Sequence, residues 1–240
     1  MQITSQGVQL KAGRLTVEID LLGRVRSLRD EVGGEECVHP VQPAVLVGVQ
    51  FYGESERRLP ERVCFAAAGA SACDLVCRFA NGAELTVRAT EAEGYVKFQV
   101  TGGQGAGGMQ RLYWGPLSTR LEGPIGEYLG LLRSDAMTVG LLSLEPNTDG
   151  VGADHFISAH WLPRAVGGSY LELRADDQSR DQARTVYGAP VTARAMPGLT
   201  VLTSAVALFG CRETEVWERV ERIEQCEGLP HPTIDGEWAK

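Results

Sequence analysis

Aromatic and charged side chains suited to a sugar-binding surface are concentrated in residues 112–133, LYWGPLSTRLEGPIGEYLGLLR. A pyranose ring presents apolar C–H patches and a ring of hydroxyls, so aromatic faces beside hydrogen-bonding groups suit it. The segment supplies both kinds of group, which predicts sugar contacts by Tyr113, Trp114, Glu127 and Arg133. The alternative is that Trp114 and Tyr128 are core residues at the ends of two strands, because large aromatic side chains are highly buried on average.

A second candidate segment is residues 149–161, DGVGADHFISAHW, which holds two carboxylates, two imidazoles and an indole. Its indole would stack on a sugar ring while neighbouring polar groups bond the hydroxyls, so the candidate contacts are Asp154, His155, His160 and Trp161. Metal binding is a weaker interpretation, because histidines five residues apart lie on opposite faces of a strand and well apart around a helix. They lack the i, i+4 spacing of a zinc-binding helix, so no metal site is predicted.

Hydrolysis of a glycosidic bond requires two carboxyl groups at a set separation, one of them protonated. Acidic residues are available in both segments and between them, namely Glu122, Glu127, Glu145, Asp149 and Asp154. Their separations in space do not follow from the sequence, and with 31 acidic residues in the chain such a grouping is unsurprising. We therefore predict no catalytic residue and no cofactor.

Length and composition narrow the class of protein. The 240 residues fit one large β-sandwich, and a formal net charge of -8 argues against the clustered basic surface of a nucleic-acid-binding protein. No apolar run is long enough to span a bilayer, and the N-terminus lacks the apolar core of a signal peptide. These features predict a soluble cytoplasmic chain, or a secreted or periplasmic one if a signal peptide has been removed. The 6 cysteines lack C-x-x-C spacing and are predicted to be buried free thiols.

Two-residue alternation of apolar and polar side chains dominates the chain and predicts strands. We predict them at residues 14–20, 44–52, 62–67, 73–79, 83–90, 95–101, 110–114, 127–133, 137–144, 170–175 and 199–209. Asn81-Gly82 predicts a hairpin turn. Glycine-rich residues 101–110 and charged residues 175–184 predict loops. The segments 44–52 and 199–209 are apolar on both faces, so we expect each in the centre of a sheet.

One helix is predicted at residues 213–226, where Val216, Val220 and Ile223 recur at helical spacing and Gly228 follows as the C-terminal cap. Its apolar side is expected to pack on the sheets. The last residues, EGLPHPTIDGEWAK, contain two prolines and no periodicity, which predicts a linker or strap. Many short strands followed by one late helix predict an all-β fold, a large antiparallel β-sandwich at residues 1–210, with the helix and strap at 211–240.

Four stretches together resemble the β-supersandwich domain of the galactose-mutarotase-like superfamily, in the form that stands N-terminal to a catalytic barrel in glycoside hydrolases. They are DLLGRVRSLRDEVGGEE at residues 20–36, WGPLST at 114–119, IGEYLGLLR at 125–133 and the final EGLPHPTIDGEWAK. The first stretch shows the pattern of a glycine-led strand, a short SLRD turn and a Gly-Gly step. The resemblance covers most of the chain as architecture.

The resemblance implies a non-catalytic accessory domain of a carbohydrate-active enzyme. Its partners would be carbohydrate and a C-terminal catalytic domain of the same polypeptide. The hydrolytic carboxylates would then belong to that barrel, which needs about 250 residues of its own. A chain ending at Lys240 would be one part of a longer protein.

Two other functions stay open. In the first, a free-standing aldose-1-epimerase-like enzyme would use a histidine acid and a glutamate base, roles that the resemblance would give to His155 or His160 with Glu127. In the second, the chain is a carbohydrate-binding module with no catalytic partner. An epimerisation assay identifies the enzyme, and a reading frame continuing beyond Lys240 into a barrel identifies the accessory domain.

Overall fold

A computed structural model describes residues 1–121, 123–125, 130–145, 148–149, 168–174, 182–186, 189–193, 200–230, 233–234 and 237–238. Within these residues the chain forms antiparallel β-sheets and one α-helix near the C-terminus. The sheets pack face to face as an open β-sandwich. The predicted all-β fold class with one late helix is therefore confirmed.

The N-terminal part of the chain forms a five-stranded meander in which each strand pairs with the next. Its strands are β1 (Gln2–Thr4), β2 (Gly7–Ala12), β3 (Leu15–Asp20), β4 (Arg24–Asp30) and β5 (Ala44–Val45). As predicted, Leu15, Val17 and Ile19 of β3 are buried on one face while Glu18 is exposed on the other. This alternation orients the sheet, since shifting a strand by one residue would turn its apolar side to solvent.

The largest sheet has eight strands and brings together distant parts of the chain. In spatial order they are β12 (Gly123–Ile125), β13 (Gly130–Arg133), β14 (Thr138–Ser143), β19 (Ala205–Cys211), β10 (Tyr95–Gln104), β9 (Glu84–Ala92), β8 (Ala72–Arg78) and β7 (Arg62–Ala67). The predicted hairpin at Asn81-Gly82 joins β8 to β9, with the Gly82 amide donating to the Phe79 carbonyl at 2.9 Å.

A four-stranded sheet carries Tyr113 and Trp114. Its spatial order is β15 (Thr148–Asp149), β16 (Gly168–Arg174), β11 (Met109–Ser118) and β6 (Val47–Phe51). Two separate hairpins complete the described strands, β17 (Gln182–Val186) with β18 (Ala189–Ala193) and β20 (Thr233–Ile234) with β21 (Glu237–Trp238). Short 3₁₀ turns occur at Ala106–Gly108, Val201–Thr203 and Glu213–Glu215.

The main core lies between one face of the eight-stranded sheet and the two smaller sheets. Leu10 and Val17 enter it from the five-stranded sheet, and Leu112 enters it from β11. Phe98 enters from the eight-stranded sheet, on the face of β10 predicted to be apolar. The smaller sheets follow each other directly, since only Leu46 separates β5 from β6.

Strand β19 is buried on both faces, as predicted for the centre of a sheet. It begins only at Ala205, however, because residues 201–203, predicted to belong to the same strand, form a 3₁₀ turn. It pairs with β14 on one side and β10 on the other. Phe209 stands opposite Gly140 of β14, and a Cβ atom on Gly140 would collide with the Phe209 ring. The aromatic ring therefore occupies space that the missing side chain leaves.

The helix α1 (Val216–Glu227) covers the other face of the eight-stranded sheet. Val216, Val220 and Ile223 are buried against residues of that face, which confirms the predicted helical spacing and packing. Gly228 ends the helix with φ 66. No helix in the described part of the chain is long and apolar enough to cross a membrane.

The end of the helix is fixed to β10 by polar contacts. The Glu227 carboxylate accepts hydrogen bonds from the Tyr95 hydroxyl and the Lys97 ammonium, each at 2.5 Å. Burial, together with the neighbouring carboxylate, raises the pKa of Tyr95 and keeps its hydroxyl a donor.

The expectation of one central strand at residues 44–52 was wrong. The chain bends at Leu46, whose carbonyl accepts from the Gly115 amide at 2.9 Å, and the two halves become edge strands of different sheets. Both halves are nevertheless buried, because the smaller sheets pack against the main core.

Three other element predictions also need correction. Strand β10 continues to Gln104 through the glycine-rich loop, because β9 offers partners as far as Glu84. The SLRD sequence belongs to β4 rather than to a turn. The charged segment and the tail, predicted to lack strands, contain the start of β17 and the β20–β21 hairpin.

Candidate functional site

Trp114 points from β11 into the main core and has no exposed surface. Its Nε1–H donates to the Ser204 hydroxyl at 2.7 Å, and its ring centroid lies 6.5 Å from that of Phe98. The hydrogen bond satisfies the indole nitrogen inside the apolar core. The predicted sugar contact at Trp114 is corrected accordingly: a ligand has no access to this side chain, and the interpretation as a core residue holds.

Tyr113 lies on the opposite face of the same strand and is half-buried. Its hydroxyl donates to the Gln50 side-chain oxygen at 2.8 Å, across the pair of strands β11 and β6. The Arg57 guanidinium carbon stands 5.1 Å from the ring centroid, within the range of a cation–π contact. We call these three residues, Tyr113, Gln50 and Arg57, the Tyr113 cluster.

Backbone contacts orient the polar members of the Tyr113 cluster. The Gln50 amide donates to the Glu54 carbonyl at 2.7 Å, so its other end presents oxygen to Tyr113. The Arg57 guanidinium donates to the carbonyl of Gly115, the residue before the cis proline at position 116. The cluster is thus held by the ends of β6 and by the bend within β11, and its side chains need little reordering to bind a ligand.

The backbone register of the neighbouring strands places more charged residues beside the cluster. Glu172 of β16 pairs with Tyr113, Arg174 pairs with Arg111, and Asp149 of β15 pairs with Glu172. Tyr113 therefore stands in a row of the sheet that also contains two acidic positions. The segment with the second set of candidates connects Asp149 to β16.

Arg133 is at the other side of the molecule. Its guanidinium donates to the Glu213 carboxylate at 2.6 Å, next to the start of α1, on the helix-covered side of the eight-stranded sheet. Tyr113 lies on the outer face of the opposing four-stranded sheet. The structure therefore does not bring Arg133 and Tyr113 into one site.

The other predicted contacts lie outside the described residues, so their roles stay predictions. Glu127 falls between β12 and β13, while Asp154, His155, His160 and Trp161 fall between β15 and β16. Within the described ranges, no group of three or more His, Cys, Asp or Glu residues is placed to hold a metal ion.

Clefts open on the surface of the described residues at two places that bear on a candidate site. One of about 400 Å³ lies along β1–β3, where Gln9 and Glu18 bond each other at 3.0 Å. The other, of about 350 Å³, is lined by Arg24, His39 and Arg120. Sequence reasoning gave these three residues no role, because they are far apart in the chain and no motif joins them.

No protein-family model matches the chain, and no curated protein matches its sequence significantly. The site is therefore interpreted from its own geometry.

Proposed function

We propose that the chain is a non-catalytic β-sandwich domain that binds carbohydrate at the Tyr113 cluster, on the outer face of the four-stranded sheet. One observation carries the proposal: a half-buried tyrosine ring lies beside an arginine and a glutamine whose orientations are fixed. A sugar ring contacts aromatic surface with its C–H patches and receives hydrogen bonds from guanidinium and amide groups at its hydroxyls.

The ring of Tyr113 offers an edge and a hydroxyl rather than a fully open face, since Arg57 stands over it. A shallow, partly polar contact of this kind suits binding to an extended polysaccharide better than enclosure of a single sugar. Binding sites of small ligands bury most of the ligand, whereas an open sheet face contacts one side of it. The proposed ligand is therefore a polymer lying across the sheet.

We further propose that the domain belongs to a glycoside hydrolase whose hydrolytic carboxylates are on a separate barrel. The sequence resemblance supports this assignment. The exposed Trp217 of α1, with 58% of its surface accessible, supplies an aromatic anchor for such a neighbouring domain. Aromatic anchors of this kind dominate the energetics of protein interfaces.

Affinity electrophoresis of the full chain through gels containing xylan, β-glucan, starch or galactan tests the binding proposal. We expect retardation by at least one polysaccharide. Tyr113→Ala should weaken that retardation by at least about tenfold, and Tyr113→Phe, which keeps the ring but loses the bond to Gln50, by less. Trp217→Ala is the matched control, because it removes an exposed aromatic from the opposite side of the eight-stranded sheet.

Absence of retardation on every polysaccharide would overturn the proposal. So would a loss caused by Trp217→Ala with none from Tyr113→Ala. Thermal melts of each variant distinguish a loss of binding from unfolding. If Tyr113→Ala does not fold, the conservative variant Tyr113→Phe provides the test of binding. Polarimetry on fresh glucose solutions is the complementary assay, since accelerated mutarotation by the purified chain would contradict a non-catalytic role.

A further inference from the structure

A cleft on the five-stranded side of the molecule is lined by six polar or charged residues and six apolar ones. It lies between β4 and the loop at residues 38–43, with Arg120 at one side. Arg24 and Arg26 contribute from β4, while Glu36, His39 and Gln42 contribute from the following segment. Three arginines line this cleft, on a protein whose formal net charge is -8.

Two carboxylates, Asp20 and Glu36, offset part of the charge of the three arginines and leave one net positive charge. Arg26 is bound by Asp20, with 2.6 Å between Nε and Oδ2. Glu36 uses its carboxylate on the Ser27 hydroxyl at 2.6 Å and on the Leu28 and Val38 amides, each at 2.9 Å. Within the part of the chain that the structure describes, the side chains of Arg24 and Arg120 form no ion pair or hydrogen bond. Two exposed cations therefore remain for a ligand.

His39 is oriented by its own backbone. Its Nδ1 accepts hydrogen bonds from the amides of Val41 and Gln42, at 3.2 and 3.0 Å. A ring nitrogen that accepts carries no proton, so in the neutral imidazole the proton is on Nε2, which can only donate. The ring thus offers one N–H donor at the cleft.

The walls of the cleft are tied to β11. The His39 amide donates to the Ser118 carbonyl at 2.9 Å, and the Ser118 hydroxyl donates to the Pro43 carbonyl at 3.2 Å. The Arg120 amide donates to the Cys37 carbonyl at 2.8 Å. These bonds hold the loop in place before any ligand arrives, which lowers the entropic cost of binding.

We infer that this cleft binds a small ligand through an oxyanion, either a carboxylate or a phosphate. Arginine side chains form paired, charge-assisted hydrogen bonds to both groups, and the histidine N–H adds a third donor. A volume of about 350 Å³ accommodates a ligand of monosaccharide size. The inference uses none of the residues of the Tyr113 cluster, so either proposal can be wrong without affecting the other.

Isothermal titration of the full chain with glucuronate, glucose 6-phosphate and uncharged glucose, at equal ionic strength, tests the inference. We expect at least one charged sugar to bind about tenfold or more tightly than glucose. Comparison of the two charged sugars shows whether the oxyanion is a carboxylate or a phosphate. The double variant R24Q/R120Q should lose this preference.

Two controls separate the cleft from general charge and from folding. R29Q/R62Q removes two exposed arginines outside the cleft and should keep the preference, since it makes the same change in net charge. His39→Asn keeps an acceptor near the position of Nδ1 but lacks the Nε2 donor, so it should weaken binding several-fold without changing the melting temperature. Tyr113→Ala should leave this binding unchanged.

Equal affinity for the charged sugars and glucose would overturn the inference. Equal losses in R24Q/R120Q and R29Q/R62Q would also overturn it, because they would indicate attraction by net charge alone.

Discussion

The Asp30 carboxylate, at the end of β4, joins the turn between β2 and β3 to the turn that follows β4 through four hydrogen bonds. Arg14 donates to both of its oxygens, at 3.0 and 2.7 Å, and the amides of Val32 and Gly33 donate at 3.2 and 2.8 Å. Burial by itself raises the pKa of Asp30, but the amide bonds and Arg14 outweigh it and hold the pKa below its ordinary value of 3.8. The ionised form is therefore the one that the fold stabilises.

Asp30→Asn should lower the free energy of unfolding by about 2 kcal/mol at pH 7, because Arg14 loses its carboxylate in a mostly buried place. A lowered pKa in the folded state gives stability that is complete above the unfolded-state value and is lost as pH falls through the folded-state value. The difference between wild type and variant should therefore shrink below about pH 4. Urea denaturation at pH 7, 5 and 3 measures it.

Asp74→Asn is the matched control, since Asp74 also binds an arginine through two bonds, at 2.8 and 3.0 Å. That pair is more exposed, with 45% of the Arg88 side chain and 25% of the Asp74 side chain accessible. Its loss should cost less than about 1 kcal/mol. Equal effects of the two substitutions, or no dependence on pH for Asp30→Asn, would contradict the role assigned to Asp30.

The adjacent residues Tyr113 and Trp114 show what sequence reasoning can reach at a site. Alternation requires that the two side chains point to opposite faces of a strand. It does not determine which of the two faces packs against the core. Ser204, which binds the Trp114 indole, is 90 residues away, so no local signal indicates it. The same holds for Arg57 beside Tyr113 and for Arg24 and Arg120 in the cleft between β4 and the loop at residues 38–43.

The helix α1 could be predicted well because its signals are local. Its buried residues repeat at three- and four-residue spacing, and a glycine follows its last turn. Gly228 has φ 66, a left-handed conformation that costs an L-residue with a Cβ roughly 1–2 kcal/mol. The glycine thus ends the helix and lets the chain turn back.

Gly228→Ala should lower the free energy of unfolding by about 1 kcal/mol, measured by urea denaturation. Gly228→Asn should cost less, because asparagine enters the left-handed region more readily than alanine. Equal costs for the two variants would show that the backbone conformation at this position does not determine the effect.

The strand predictions succeeded where alternation is strong, as in β3. They failed where pairing with a distant strand determines the extent of a strand or the sheet to which it belongs. Residues 44–52 form a single apolar run, but the bond between Leu46 and Gly115 divides it between two sheets. The glycines after Val100 have low intrinsic strand preference, yet they pair with residues 84–86 of β9 and so continue the strand. Local sequence patterns do not predict contacts between segments that are distant in the chain.

At the scale of the whole molecule, three layers enclose four of the six cysteines: the two smaller sheets, the eight-stranded sheet and the helix. Cys37, Cys73, Cys77 and Cys211 are buried, which confirms the predicted burial for these four. The prediction was wrong for the other two, since Cys64 is half-buried and Cys226 is exposed on α1. Burial raises the pKa of Cys37 and of Cys77 to about 12, and of Cys73 and of Cys211 to about 11. Few of these thiols are ionised near neutral pH, and ionisation controls their reactivity.

Iodoacetamide at pH 8 should therefore modify the exposed Cys226 fastest and the half-buried Cys64 more slowly. The four buried cysteines should react only as the whole domain unfolds, with a common rate that rises with urea. Mass spectrometry of tryptic peptides follows each site, and Cys226→Ser should remove the fast phase alone. Rapid modification of Cys77 in the native protein would contradict the packed core.

The burial of β19 on both faces has a consequence for how the pairing of the largest sheet is encoded. In most strands, a register shift of one residue exposes the apolar side chains to solvent and is therefore destabilising. A one-residue shift of β19 would expose no additional apolar side chain to solvent, because both faces of the strand are apolar and buried. The register of β19 must then be set by side-chain size. Phe209 fits opposite Gly140, the position in β14 that has no side chain.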